Sequence, residues 1–429
     1  MSSGNGKVNG KTLRLLKKGH KGLVYALFSR FGLVVLMLLV QIAMIVVIYN
    51  IFKEFVPHYY GISMAFSAFM VLVLINSRMD PTSKVTWLVI IMIMPVFGSM
   101  LYIYTQSDIG HRTLKKRTDT LVRDARDIIP QDPEVLRQLN QESPGAASLV
   151  AYLQRNACRP VFANSDVKYF PTGEEKFAEL VKQLRKAEQF IFLEYFIIAE
   201  GLMWGTILEI LERKASEGVD VRLIYDDIGC LLTLPYKYNE ELERRGIKCC
   251  VFNQFRPVWS AKMNNRDHRK ILVIDGHTAF TGGINLADEY INEKQKYGRW
   301  KDSAVMLQGE GVWSFTVMFL SMWNYLTGNH MEDIDKYRPI QDEIADFHDE
   351  GVVVPFTDSP LDEEPVGENV YLNIINSAED YVYITTPYLI IDNEMQTALI
   401  LAAKSGVDVR IITPHIPDKK AVFAVTRAH

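Results

Sequence analysis

His268 and Lys270 stand two residues apart at the head of the run His268-Arg269-Lys270-Ile271-Leu272-Val273-Ile274-Asp275-Gly276. Its apolar middle reads as a strand buried on both faces. Side chains alternate along a strand, so the imidazole and the ammonium point the same way, roughly 6–7 Å apart along the backbone. That pair suits attack on a phosphodiester. The lysine neutralises phosphate charge, and a neutral imidazole serves as nucleophile or as acid and base. Asp275-Gly276 then supplies a turn, and residues 278–281 read as a second short strand. Gly282-Gly283-Ile284-Asn285 follows with a permissive backbone and an amide side chain. A lone His-x-Lys is more often a solvated strand edge than a site. The full string, His-x-Lys-x4-Asp-x6-Gly-Gly-x-Asn, fixes six positions within 18 residues, and it is the string that argues for chemistry.

The elements that must hold these residues follow an α/β rhythm. Apolar spacing predicts helices over 174–187, 204–216, 238–245 and 313–326, and strands over 189–196, 219–225 and 248–252. Ala187-Glu188-Gln189-Phe190-Ile191-Phe192-Leu193 is echoed by Ala378-Glu379-Asp380-Tyr381-Val382-Tyr383-Ile384, at an offset of 191. Gly218-Val219-Asp220-Val221-Arg222 returns as Gly406-Val407-Asp408-Val409-Arg410, at an offset of 188. Two β-α modules of common ancestry are therefore expected. The same offset would put a partner of His268 near position 456. The 429 residues contain no second His-x-Lys-x4-Asp, so the second module is expected to be cut short of its motif and the chain alone to be weak or inactive.

Charge is distributed unevenly. Residues 1–104 hold ten Lys/Arg against two Asp/Glu, and the remainder holds 37 against 49. A basic segment, 1–30, precedes three apolar runs: Phe31–Phe52, Tyr59–Asn76 and Val85–Tyr104. The first is 22 residues without a charge, long enough to cross a bilayer, and residues 31–104 are expected to be a membrane region of two to three hydrophobic helices. Seven basic residues before the first run and six after the last (Arg112, Lys115, Lys116, Arg117, Arg123, Arg126) both mark a cytoplasmic side. Both can be met only if one run fails to span or one cluster is overridden. The expected parts are then a juxtamembrane connector at 105–165, a first module at 166–330, an acidic linker at 331–368 and the start of a second module at 369–429. Four cysteines without a CxxC signal neither a disulfide framework nor a zinc site.

Further strings accompany the first: Glu194-Tyr195, Tyr225-Asp226-Asp227-Ile228-Gly229, Arg266-Asp267-His268, Gly283-Ile284-Asn285-Leu286, Trp300-Lys301-Asp302 and Thr386-Pro387-Tyr388. Together they resemble the phospholipase D superfamily, and with the N-terminal region they are similar to its bacterial cardiolipin synthases. Lys301 stands where that family would have Arg. The resemblance implies N-terminal transmembrane helices followed by an α/β phospholipase D-type fold, with two repeated β-α modules of mixed sheet flanked by helices, the second incomplete. It also implies a phosphatidyltransferase that makes cardiolipin and glycerol from two phosphatidylglycerols through a phosphohistidine. His268 would be nucleophile or acid/base, Lys270 and Asn285 would hold phosphate oxygens together with His268, and Asp275 would support an imidazole. No cofactor or metal is implied. The expected partners are phosphatidylglycerol, anionic membrane lipids and a second copy of the chain, since single-motif members complete their site by pairing. The expected place is the bacterial cell membrane, multi-pass, with the catalytic part on the cytoplasmic side. Two other readings stay open: a lipid hydrolase or nuclease using the same motif, and a non-catalytic membrane protein. The acidic balance beyond residue 104 argues against nucleic acid.

Overall fold

The computed structural model describes residues 59–77, 81–106, 128–157, 159–254, 265–328, 334–339, 351–358 and 364–429, with Met79, Phe347 and scattered positions between 39 and 50. The chain divides into two compact units, one of Met1–Ser107 with Arg256–Ser260 and one of Asp108–Phe255 with Ala261–His429.

In the first unit the expected membrane helices are corrected. The run at 31–52 lies outside the described residues apart from scattered positions. The second run forms the helix Tyr59–Ile75, whose 17 residues reach only about 25 Å against a hydrocarbon core of about 30 Å. The third is broken into Pro81–Ile93 and Pro95–Gln106. Pro95 has no N–H to continue the ladder, and Met94 makes the last bond to the Ile90 carbonyl, at 2.9 Å. Among the described residues no helix is long and apolar enough to cross a membrane. The N-terminal transmembrane helices and the multi-pass placement are therefore not supported. The three short helices instead pack on one another through Met70, Leu74, Ile91 and Tyr102.

The second unit is built on a seven-stranded mixed sheet. Its strands are β1 (Ser165–Phe170), β2 (Phe190–Tyr195), β3 (Asp220–Asp226), β4 (Lys248–Phe252), β5 (Lys270–Ile274), β6 (Thr278–Gly282) and β7 (Ala304–Gly309). They lie in the order β1-β7-β6-β5-β2-β3-β4. β2, β3 and β4 run parallel through crossover helices, and β5 turns back antiparallel against β2. A separate parallel pair, β8 (Tyr381–Thr385) and β9 (Asp408–Ile412), is joined by the helix Asn393–Lys404.

Strand alternation sorts the core into two layers. Ile191, Leu193, Leu272 and Ile274 pack beneath the helices Gly173–Lys186 and Leu202–Ser216. Phe192, Ile271 and Val273 face the apolar helix Val312–Thr327. The helix at 173–186 begins where the Thr172 hydroxyl accepts from the Glu175 amide at 3.3 Å and donates to the Glu175 carboxylate at 3.1 Å, a side-chain N-cap. Both layers converge on one end of the sheet, where β2 and β3 finish, β5 starts and β6 hands over to the Gly283 turn.

Candidate active site

His268 lies just ahead of β5, and its position is set from behind the sheet. Asp226, fully buried at the end of β3, accepts from the Asp267 amide at 3.1 Å and the Gly229 amide at 2.8 Å, and pairs with Arg266 at 3.3 Å. Arg269 is held by Asp267 at 3.3 Å and by the buried Glu194. Burial pushes the Glu194 carboxyl up, with Arg269 opposing it. With Asp267 and Arg269 tied on that side, the alternation sends His268 and Lys270 to the other face. Lys270 sits directly across from Tyr195 of β2.

On that front face the Lys270 ammonium lies 3.1 Å from His268 Nδ1. The imidazole rests on Phe196, ring centroids 4.6 Å apart, and Lys270 lies over the same ring at 5.4 Å. Burial, then Lys270, hold the imidazole below its ordinary value; the ring is therefore neutral at neutral pH and available to accept or attack. Burial brings Lys270 down to about 8, against the pull of Asp267 and Asp302. An exposed imidazole beside a largely buried cation is an arrangement in which an oxyanion can be bound and its phosphorus approached.

The Gly-Gly pair has a steric reason. Continuing the β5–β6 register puts Gly282 across from Lys270. A Cβ at Gly282 would sit 2.6 Å from the Ala304 backbone, and its φ of +142° also disfavours a side chain. A Cβ at Gly283 would come within 2.1 Å of the Asp302 carboxylate. Asn285, 2% exposed, accepts from the Ile197 amide at 3.0 Å and donates to the Tyr290 hydroxyl at 2.8 Å. It thereby holds the segment that carries Phe196 under the imidazole.

The structure thus gathers His268, Lys270 and Asn285 at one end of the sheet. It does not bring Asp275 there. Asp275 ends β5 at its far end, where its carboxylate accepts from the amides of Glu188, Gln189 and Phe190 at 2.7–2.8 Å. It ties down the start of β2, seven residues along the chain from His268, at about 3.3 Å per strand residue. Support of the imidazole by Asp275 is not what this geometry offers; support comes from Asp226, Asp267 and Glu194 through the backbone.

Several neighbours carry no role in the motif reading. Phe196 and Asp302 are two. Lys176, from the helix at 173–186, is a third: it shares that helix's buried stripe with Leu180 and Leu184, so a lysine in an apolar stripe is the signal that marks it. Lys419, ahead of the helix Lys420–Thr426, adds positive charge that is felt at His268. Ile416 lies 3.6 Å from where a Gly298 Cβ would stand. Among the described residues no cluster of His, Cys, Asp or Glu is arranged to hold a metal.

The profile described as "Cardiolipin synthase, PLD-like domain" matches residues 180–309 and 371–428, and "Phospholipase_D-nuclease N-terminal" matches 65–104. An uncharacterized protein of Streptococcus mutans is 51% identical over 84% of this chain and 77% of its own length. A cardiolipin synthase of Alkalihalophilus pseudofirmus is 33% identical over 84% of this chain and 71% of its own length. The crystal structure of a phosphatidylserine synthase from Haemophilus influenzae superposes with a TM-score of 0.43 at 17% identity, covering 62% of this chain and 66% of the other.

Proposed function

The chain belongs to the cardiolipin synthase family of the phospholipase D type, and from that premise we propose that it is a phosphatidyltransferase converting two phosphatidylglycerols into cardiolipin and glycerol. The observation that carries the reading is the His268–Lys270 pair: an exposed imidazole 3.1 Å from a largely buried ammonium on one sheet face.

In the reaction, one imidazole attacks the phosphorus of the first lipid. A P–N bond forms, the P–O bond to glycerol breaks, and the glycerol alkoxide takes a proton from a second imidazole. That imidazole, now neutral, removes the proton from a hydroxyl of the second phosphatidylglycerol, which attacks the phosphohistidine and releases the histidine. His268 takes one of these two parts. Lys270 balances charge on the non-bridging oxygens, and the Asn285 amide keeps one N–H beyond its bond to Tyr290 for the same purpose. The second imidazole is not among the 429 residues as a His-x-Lys-x4-Asp; a longer chain or a second copy across a two-fold axis would supply it. The likeness of the β2–β3 and β8–β9 units supports a common ancestry for the two modules, with the second one contributing the opposite wall of the site.

A lipid substrate suits the exposed apolar side chains of the short N-terminal helices, among them Met64, Met92 and Ile93. They favour association with a lipid surface.

The test uses phosphatidylglycerol vesicles labelled in the headgroup and a preparation that turns over. Cardiolipin and glycerol should appear in equal amounts, and His268→Ala should abolish both while leaving the protein on the vesicles. Phosphatidic acid in place of cardiolipin would mean hydrolysis, and conversion untouched by His268→Ala would remove His268 from the chemistry.

A further inference from the structure

Beneath the His268–Lys270 pair lies a lysine that the phosphodiester chemistry does not use. Lys176 is 1% exposed, and among the described residues no carboxylate is within ion-pair distance of it. Its ammonium stands 3.2 Å from the Ile284 carbonyl and 3.3 Å from the Tyr195 hydroxyl, and 5.1 Å from the Tyr195 ring centroid. It belongs to the first turns of its helix, where the positive end of the macrodipole opposes a cation. Burial and dipole both disfavour a charge at this point, and a methionine would fill the space at lower cost. The charged groups that face Lys176 are Lys270 from β5 and Asp302 ahead of β7, with the Tyr195 phenol from β2.

We propose that Lys176 is a positioning residue of the oxyanion site: it ties the Ile284 carbonyl to Tyr195 directly beneath Lys270, fixing the Gly283–Asn285 turn and placing a second positive charge behind the bound phosphate. The turn and the charge are separable roles. The first needs the hydrogen bond to Ile284 and is independent of the ligand. The second needs a protonated amine, rests on the phosphodiester reading of the site, and is lost when the amine gives up its proton. Burial brings Lys176 down to about 7, so its contribution to anion binding is full in mild acid and gone in mild base.

The test compares the full chain with Lys176→Met, using tungstate as the oxyanion and titration calorimetry from pH 6 to pH 9. The wild type should bind about tenfold tighter than the variant at pH 6, the effect of one extra charge at roughly 10 Å in a partly polar interior, and the ratio should fall to about one by pH 9. Amide exchange at Gly283, Ile284 and Asn285, measured without ligand, should quicken in the variant. The variant's melting temperature should be no lower than the wild type's, which shows that the fold is kept. Equal affinities at pH 6, or a ratio that does not change with pH, would overturn the charge role. Unchanged exchange would overturn the positioning role. If tungstate fails to bind the wild type at any pH, the phosphate reading of the whole site falls, and the exchange measurement still decides whether Lys176 holds the turn.

Discussion

The parallel pairs β2–β3 and β8–β9 share more than a sequence echo. Phe190 lies opposite Asp220, and Tyr381 opposite Asp408, in the same register. Gly218 and Gly406 take φ of +94° and +101° at equivalent turns, and Arg222–Asp220 and Arg410–Asp408 are equivalent pairs at 2.8 and 2.7 Å. Their surroundings differ. Every residue of β2 is buried, and β5 is laid antiparallel along it. β8 alternates between exposed and buried positions and, among the described residues, pairs with β9 alone. The parallel pair is therefore a scaffold without chemistry of its own. On the proposed reading the chemistry comes with the third strand, because β5 and the residues just ahead of it bring Lys270 and His268 to the front face and close the buried layer behind them.

That contrast can be broken at several points. The largest effect should come from His268→Ala, which should lower lipid transfer in an active preparation by about a thousandfold or more, read as cardiolipin formed per minute. Next, Glu194→Ala leaves the Arg269 guanidinium buried beside Asp267 alone and should cost about 3 kcal/mol of stability, measured by denaturant unfolding. Asp220→Ala removes partners from Arg222, Lys248 and Tyr337 and should cost about 1–2 kcal/mol. The equivalent Asp408→Ala, on an exposed pair, should leave the melting temperature unchanged, and equal effects of the two would erase the contrast between the pairs. Asp275→Asn should lower stability by weakening three charge-assisted bonds to the amides of Glu188, Gln189 and Phe190, at and just ahead of the start of β2, yet leave the pH profile of the remaining activity where it was. A shifted profile would instead give Asp275 a hand in setting the imidazole.

The smallest effect is a pH dependence. Lys270, at about 8 in the fold, has its ordinary value near 10.4 when unfolded. Between those two values the unfolded chain binds more protons, so this group makes stability rise with pH across that window and contributes no slope below it. Oxyanion binding has the opposite sign: it needs the protonated amine and should fall away above about pH 8. Comparing wild type with Lys270→Met in both measurements isolates the group.

Much of the site is legible in the sequence because it depends on local periodicity. Alternation alone puts His268 and Lys270 on one face, and the Gly-Gly pair announces a tight turn. The role of Asp275 is not legible, since the amides it holds lie 85 to 87 residues away and only the sheet order brings them near. Lys176 is half legible: a lysine on an apolar stripe stands out, but the groups it meets come from β2 and from the turn after β6. The N-terminal expectation fails for a local reason. A hydropathy count over 85–104 passes over Pro95, and the backbone does not.

The most direct test of the central claim, that these 429 residues hold one half of a phosphatidyl-transfer site, is turnover of labelled phosphatidylglycerol by this chain across a range of protein concentrations in vesicles. Isolated monomers should make little or no cardiolipin, and activity per chain should rise with concentration only if two copies share a site. Sustained, concentration-independent cardiolipin formation by the monomer would contradict it.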